Sequence, residues 1–165
     1  MAASAHDFAF VALDGSPLPM KSFAGKAVLV VNTASECGYT PQYAGLQKLW
    51  QARKGDGLVV LGVPSNDFGA QEPGDEAQIA RFCSLRYHVD FPMTAKQAVV
   101  GGRAHPFYRW IAEELGEAGA PRWNFHKYLI GRDGQLAGAW PSSVAPESKE
   151  LAAAIDEALG ARSGE

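Results

Sequence analysis

Two apolar runs constrain this chain more than any other feature. Ala27-Val28-Leu29-Val30-Val31, within the stretch Lys26 to Asn32, and Leu58-Val59-Val60-Leu61-Gly62-Val63 are hydrophobic at successive positions, not alternate ones. A strand with no polar side must be covered on both faces. Between the runs, Tyr43, Leu46, Leu49 and Trp50 recur at intervals of three and four, which is one buried face of a helix. Thr40 is placed to cap that helix and Pro41 to take its first position. Strand, helix and buried strand in this order imply a right-handed parallel crossover.

The flanking segments complete the architecture. Phe8–Leu13 and Pro17–Met20 bracket Asp14-Gly15, a hairpin signal, because Asp-Gly suits the positive dihedrals of a tight turn. The segment from Pro64 to Gly74 reads as a loop. Asp75 then caps a helix to about Tyr87, with Ile79, Phe82, Cys83 and Tyr87 on one face. Phe91-Pro92-Met93 is short and extended, and a further helix runs from His105-Pro106 to about Leu115. A second hairpin pairs Lys127–Gly131 with Leu136–Trp140 around Asp133-Gly134, and Pro146 opens a last helix striped by Leu151, Ala154, Ile155, Ala158 and Leu159. The expected fold is α/β and thioredoxin-like. It has an N-terminal β-hairpin and a central mixed sheet flanked by helices, in one domain spanning 1–165.

Composition narrows the function. A chain of 165 residues with a formal net charge of -3 has room for a substantial core. With no basic cluster, it has no electrostatic footprint for nucleic acid or an anionic membrane. The longest apolar run is too short for stable membrane insertion. No cationic segment followed by a long apolar one opens the sequence, so no signal peptide is expected and the expected location is cytoplasmic. Two cysteines are too few for a disulfide scaffold and do not form CxxC. The scattered His6, His88, His105 and His126 match no metal-ligand spacing and read as structural or surface residues. Neither a metal nor a bound cofactor is implied.

Cys37 is the residue most suited to chemistry. It follows the first buried strand and immediately precedes a helix, close to the positive end of the helix dipole, where a thiol tends toward thiolate. The alternative is a small buried hydrophobe. Glu36 beside it would oppose ionisation if it faced the sulfur, and not if it faces water. Gln71, in the loop after the second strand, has an amide able to donate to a thiolate or a substrate oxygen. Trp123 and Asn124 stand just before a later strand, and an indole N–H is a pure donor that can face a sulfur anion.

Three blocks of sequence resemble the signature segments of the glutathione peroxidase family: Asn32–Thr40, Pro64–Gly74 and Trp123–Leu129, in that order. Phe91-Pro92-Met93 and the Asp133-Gly134 hairpin fit the same pattern. The resemblance implies a thioredoxin-like peroxidase in which Cys37 is the peroxidatic residue, with sulfur in place of selenium. It puts Gln71, Trp123 and Asn124 at the remaining catalytic positions. The substrate would be hydrogen peroxide or an organic hydroperoxide, and the co-substrate a thiol, glutathione or thioredoxin. The same residues would also serve a peroxide sensor that relays oxidation to a partner protein. Turnover separates the two, because a sensor stalls after one equivalent.

The chain departs from common family patterns at several positions. Ser65 stands where many members have cysteine, Asp67 where many have glutamine, and Glu36 where many have a basic residue. Thioredoxin-dependent members resolve the sulfenic acid with a cysteine on the helix that carries Cys83. In many of them that cysteine falls one residue later, about 100° around the helix. Cys83 is therefore either the resolving residue or a buried structural thiol. The segment between Val100 and Trp123 lacks the longer insertion of tetrameric members, which implies a monomer or weak dimer with an open site.

Overall fold

The computed structural model describes residues 4–160, so Met1–Ala3 of the N-terminal stretch lie outside the described residues. Strand β1 (Ala9–Val11) pairs antiparallel with β2 (Pro17–Pro19) as a separate two-stranded sheet. Asp14 accepts both the amide and the hydroxyl of Ser16, at 3.0 and 2.6 Å, while Gly15 adopts a φ of 88°. That closes the expected Asp-Gly turn.

Strand β3 (Ala27–Thr33) is buried at every residue. After helix α1 (Gln42–Arg53), strand β4 (Leu58–Pro64), also buried throughout, runs parallel to β3 from Ala27↔Leu58 to Thr33↔Pro64. Helices α2 (Glu76–Tyr87) and α3 (Pro106–Leu115) follow. Strand β5 (Lys127–Ile130) then pairs antiparallel with the other edge of β3, and β6 (Leu136–Trp140) with β5. The sheet order is β4-β3-β5-β6, and helix α4 (Lys149–Gly160) ends the described chain. This is the thioredoxin-like arrangement expected from the two apolar runs.

Strand periodicity divides the core into two layers. Val28, Val30, Val59, Leu61, Tyr128 and Ile130 face Phe107, Tyr108, Trp110 and Ile111 of α3. Ala27, Leu29, Val31, Leu58, Val60 and Leu129 face the opposite layer, with Tyr43 and Leu46 of α1, Ile79 and Cys83 of α2, and Leu151, Ile155 and Leu159 of α4. Gly62 interrupts β4 because Phe91-Pro92-Met93 crosses it. Its N–H donates to the Pro92 carbonyl at 3.0 Å, and an added Cβ would come within 3.2 Å of the Phe91 and Met93 side chains.

Two helix starts differ from expectation. Pro41 precedes α1 instead of lying inside it, and the Thr40 hydroxyl does not cap the helix. The last helix begins at Lys149, not Pro146. Ser148 supplies a side-chain acceptor for the Leu151 amide at 3.2 Å, and a turn fills the intervening residues. The start of α2 is as expected, with a reciprocal cap: Asp75 accepts the Gln78 amide at 2.9 Å, and the Gln78 side chain accepts the Asp75 amide at 2.8 Å. Asp75→Ala should therefore lower unfolding free energy by about 0.5–2 kcal/mol in urea titrations.

Candidate active site

The chain turns from β3 into α1 through Ala34–Pro41. Cys37 lies in this turn with 7% exposure. Its N–H donates to the Thr40 hydroxyl oxygen at 2.9 Å, and that hydroxyl donates to the Ala34 carbonyl at 2.9 Å. Thr40 is thus occupied in closing the cysteine turn, which is why it does not cap α1. The Cys37 sulfur accepts the Tyr39 N–H at 3.3 Å. The sulfur thus has a main-chain donor in the turn that leads into α1. Glu36 is exposed, so its carboxylate faces water.

The loop after β4 is stitched to this turn. The Glu36 N–H donates to the main-chain carbonyl of Gln71 at 3.0 Å. Gly69 and Ala70 adopt φ values of 68° and 53°, and an added Cβ on Gly69 would meet the Trp123 ring at 3.0 Å. Asp67 accepts the amides of Val99 and Val100 at 2.6 and 3.2 Å, and Lys96 donates to the carbonyls of Glu72 and Gly74 at 3.0 and 2.6 Å. The Glu72 carboxyl is buried, and burial raises its pKa against the lowering pull of Ser35 and Lys96.

The third segment meets the second directly. The Asn124 side-chain amide donates to the Gln71 side-chain oxygen at 3.0 Å and approaches the Phe68 carbonyl at 3.4 Å. The rings of Phe68 and Trp123 lie 5.9 Å apart. Asn32, near the end of β3, donates its side-chain amide to the Trp123 carbonyl at 3.0 Å, and its own carbonyl accepts the Phe125 N–H at 2.6 Å. Gln71, Trp123 and Asn124 are therefore neighbours, joined to the Cys37 turn through the Glu36–Gln71 bond. Sequence reasoning placed Asn32, Thr40 and Asp67 within the signature blocks without a role in holding the site, and passed over Lys96. For Asn32 the available signal was a polar residue closing an otherwise apolar strand.

Cys83 is placed differently. It is buried in α2 at the wall of a cavity of about 280 Å³ bounded by Leu13, Ala80, Val89, Phe91 and Met93. Burial pushes its thiol up to about 11, against a hydrogen bond from Tyr43 that lowers it. Both cysteines are free thiols.

A cysteine on the strand-to-helix turn of this sheet, without a CxxC partner, marks a thiol redox protein built on a thioredoxin-like fold. A profile of the glutathione peroxidase family matches residues 5–112. The chain is 46% identical over 139 residues to the glutathione peroxidase-like peroxiredoxin gpx1 of Schizosaccharomyces pombe, covering 83% of this chain and 88% of that protein. It is 47% identical over 148 residues to the hydroperoxy fatty acid reductase Gpx2 of a Synechocystis strain, covering 90% of this chain and 94% of that one. The crystal structure of T. cruzi GPX1 superposes with a TM-score of 0.77 at 31% identity, over 95% of this chain and 97% of that one. The chain belongs to the glutathione peroxidase family, and it is a thiol-dependent peroxidase. Among the described residues no helix is long and apolar enough to cross a membrane.

Thr40→Val should leave the Cys37 amide and the Ala34 carbonyl without their partner. The expected loss is about 1–3 kcal/mol in urea titrations, with faster amide exchange at Cys37. A second prediction concerns pH. Lys127 is buried, and burial alone pulls its pKa from 10.5 down to about 7. Between those values the folded chain holds fewer protons than the unfolded one, so this group makes stability rise with pH. Cys83, moved from 9.0 up to about 11, acts in the opposite direction only above about pH 9. Urea melts from pH 7 to 9 should show a Lys127 contribution that rises with pH and is absent in Lys127→Met.

Proposed function

We propose that Cys37 is the residue oxidised by peroxide and that Gln71, Trp123 and Asn124 supply the donors for the reaction. The observation that carries this reading is the bonded path from the Cys37 turn to the donor group: Glu36 N–H to the Gln71 carbonyl at 3.0 Å, then Gln71 side chain to Asn124 at 3.0 Å. Because the Gln71 oxygen accepts from Asn124, its NH₂ end is left as the donor. The thiolate attacks one oxygen of the hydroperoxide. An S–O bond forms, the O–O bond breaks, and the departing oxygen takes a proton to leave as water or an alcohol. Cys37, oxidised by two electrons, becomes a sulfenic acid. Donors aimed at the departing oxygen stabilise its developing charge.

The half-buried pair Phe68 and Trp123 offers an apolar rim, which suits organic hydroperoxides as well as hydrogen peroxide. A Synechocystis relative named a hydroperoxy fatty acid reductase supports that substrate class. Glutathione or thioredoxin returns Cys37 to the thiol. In the thioredoxin route Cys83 condenses with the sulfenic acid, releasing water, and thioredoxin reduces the resulting disulfide. The chain acts as a monomer or weak dimer, and a chain with two cysteines and no disulfide scaffold suits a reducing compartment such as the cytoplasm.

Cys37→Ser should abolish peroxide reduction and leave the circular dichroism spectrum unchanged; substantial remaining turnover would sink the assignment. Gln71→Ala should slow stopped-flow oxidation of Cys37, with ~10²–10³-fold as the upper guide from other oxyanion-type sites. Cys83→Ser should keep that first oxidation fast and remove thioredoxin-driven turnover. Full thioredoxin-dependent activity in this variant would make Cys83 a core residue and the enzyme a one-cysteine peroxidase.

A further inference from the structure

Lys127 has no part in the chemistry above. It opens β5, is wholly buried, and donates from Nζ to the Phe125 carbonyl at 2.7 Å. The ion pairs of the described residues join Arg53 to Asp56 and Asp156, and neither includes Lys127. Burying an amine in a sheet without an ion-pair partner is unfavourable for stability.

The bond it makes falls on a strained residue. Phe125 has a φ of 67°, the left-handed region that a bulky side chain avoids. Asn32 holds its N–H at 2.6 Å, and Tyr43 meets its ring edge-on at 5.4 Å. Lys127 holds the remaining polar group, the carbonyl. The two residues before this turn are Trp123 and Asn124. The reversal at Phe125 therefore sets where both side chains lie before the chain enters β5.

We propose that Lys127 is a positioning residue for the peroxidase reaction: by binding the Phe125 carbonyl it locks the left-handed turn that presents Trp123 and Asn124 to the Gln71 loop. The inference rests on the donor role given to Trp123 and Asn124 above. A displacement of about an ångström in such a donor is enough for a ~10²-fold loss of rate. Lys127 acts through the main chain and touches no reacting atom.

The test combines stopped-flow oxidation of Cys37 by hydrogen peroxide with thermal melting of each variant. Lys127→Met keeps the length and removes the donor. Lys127→Gln keeps an uncharged N–H donor. Val31→Ala removes packing directly across the sheet from Lys127 and leaves the Phe125 carbonyl alone. Oxidation should slow ~10- to 100-fold in Lys127→Met and recover for the most part in Lys127→Gln. Val31→Ala should lower the melting temperature at least as much as Lys127→Met and leave oxidation within about twofold of the parent. Thiol reduction of oxidised Cys37 should be unchanged in all three. Equal slowing in Lys127→Met and Val31→Ala, or no recovery in Lys127→Gln, overturns the proposal. If Lys127→Met does not fold, Lys127→Leu replaces it; failure of both to fold while Lys127→Gln folds assigns Lys127 to the fold alone and also overturns it. Trp123→Phe serves as reference. Normal oxidation there sinks the donor reading itself, whereas slowed oxidation there with normal oxidation in Lys127→Met sinks only the positioning role.

Discussion

The two-sided demand of strand β3 organises the molecule. Both its edges need hydrogen-bond partners and both its faces need cover, since every residue from Ala27 to Thr33 is buried. A parallel neighbour, β4, and an antiparallel one, β5, meet the edge requirement. Those directions have a geometric consequence. β3 and β4 end, and β5 begins, at the same rim of the sheet. The turn carrying Cys37, the loop carrying Gln71 and the segment carrying Trp123 and Asn124 leave or enter the sheet there. Convergence of residues far apart in sequence thus follows from strand direction, before any side chain at the rim is considered.

At that rim the ladder stops and main-chain groups need other partners. Polar side chains supply them. Thr40 serves Cys37 and Ala34, Asn32 serves Trp123, Asn66 serves Glu72, and Asp67 serves Val99 and Val100. With the ends so bound, the loops hold conformations they would otherwise leave. Ala70 and Phe125 both sit at positive φ, each at a cost of about 1–3 kcal/mol. Such strain is sustained only when surrounding bonds over-determine it. For the donor roles proposed above, the return is a set of groups already in place before substrate arrives, which is the condition under which electrostatic stabilisation needs no reorganisation during reaction.

The framework was legible because it is written in apolar periodicity. The runs at Ala27–Val31 and Leu58–Val63 state their own burial, and Asp75 with Gln78 states a helix start. The three blocks around Cys37, Gln71 and Trp123 could be read from residue type and order. Side-chain allegiance was not legible. Thr40 before Pro41 has the sequence of a helix cap, yet its hydroxyl is bound within the turn it closes. Pro146 suits a first helical position, yet Ser148 offers the better start two residues later. Lys127 and Glu72 are charged residues beside loops, where exposure is the ordinary expectation. Their burial depends on neighbours that no local pattern encodes.

The two thiols occupy opposite settings, and this orders the steps of any cycle that uses both. Cys37 lies in a turn outside the helices and strands, with an amide on its sulfur. Cys83 lies inside α2, and a thiol pushed up to about 11 is a poor nucleophile until it meets water. For Cys83 to resolve Cys37 as proposed, the helix would have to open. Its two ends resist differently. The N-terminus is held by the reciprocal Asp75–Gln78 cap. The C-terminus is closed by His88, a non-glycine residue at a φ of 53°, and by the bonds from His88 to the Ser84 carbonyl and from Val89 to the Cys83 carbonyl. Leu85 in that last turn is 70% exposed and adds little packing, whereas Tyr87 packs against the rings of Tyr43 and Phe82 at 5.5 and 5.9 Å. Opening from the C-terminal end therefore breaks few main-chain bonds, releases a strained cap and frees Cys83 itself. On the resolving role proposed for Cys83, the end of the helix with few main-chain ties and the thiol to be released coincide, and such ends are where local unfolding starts.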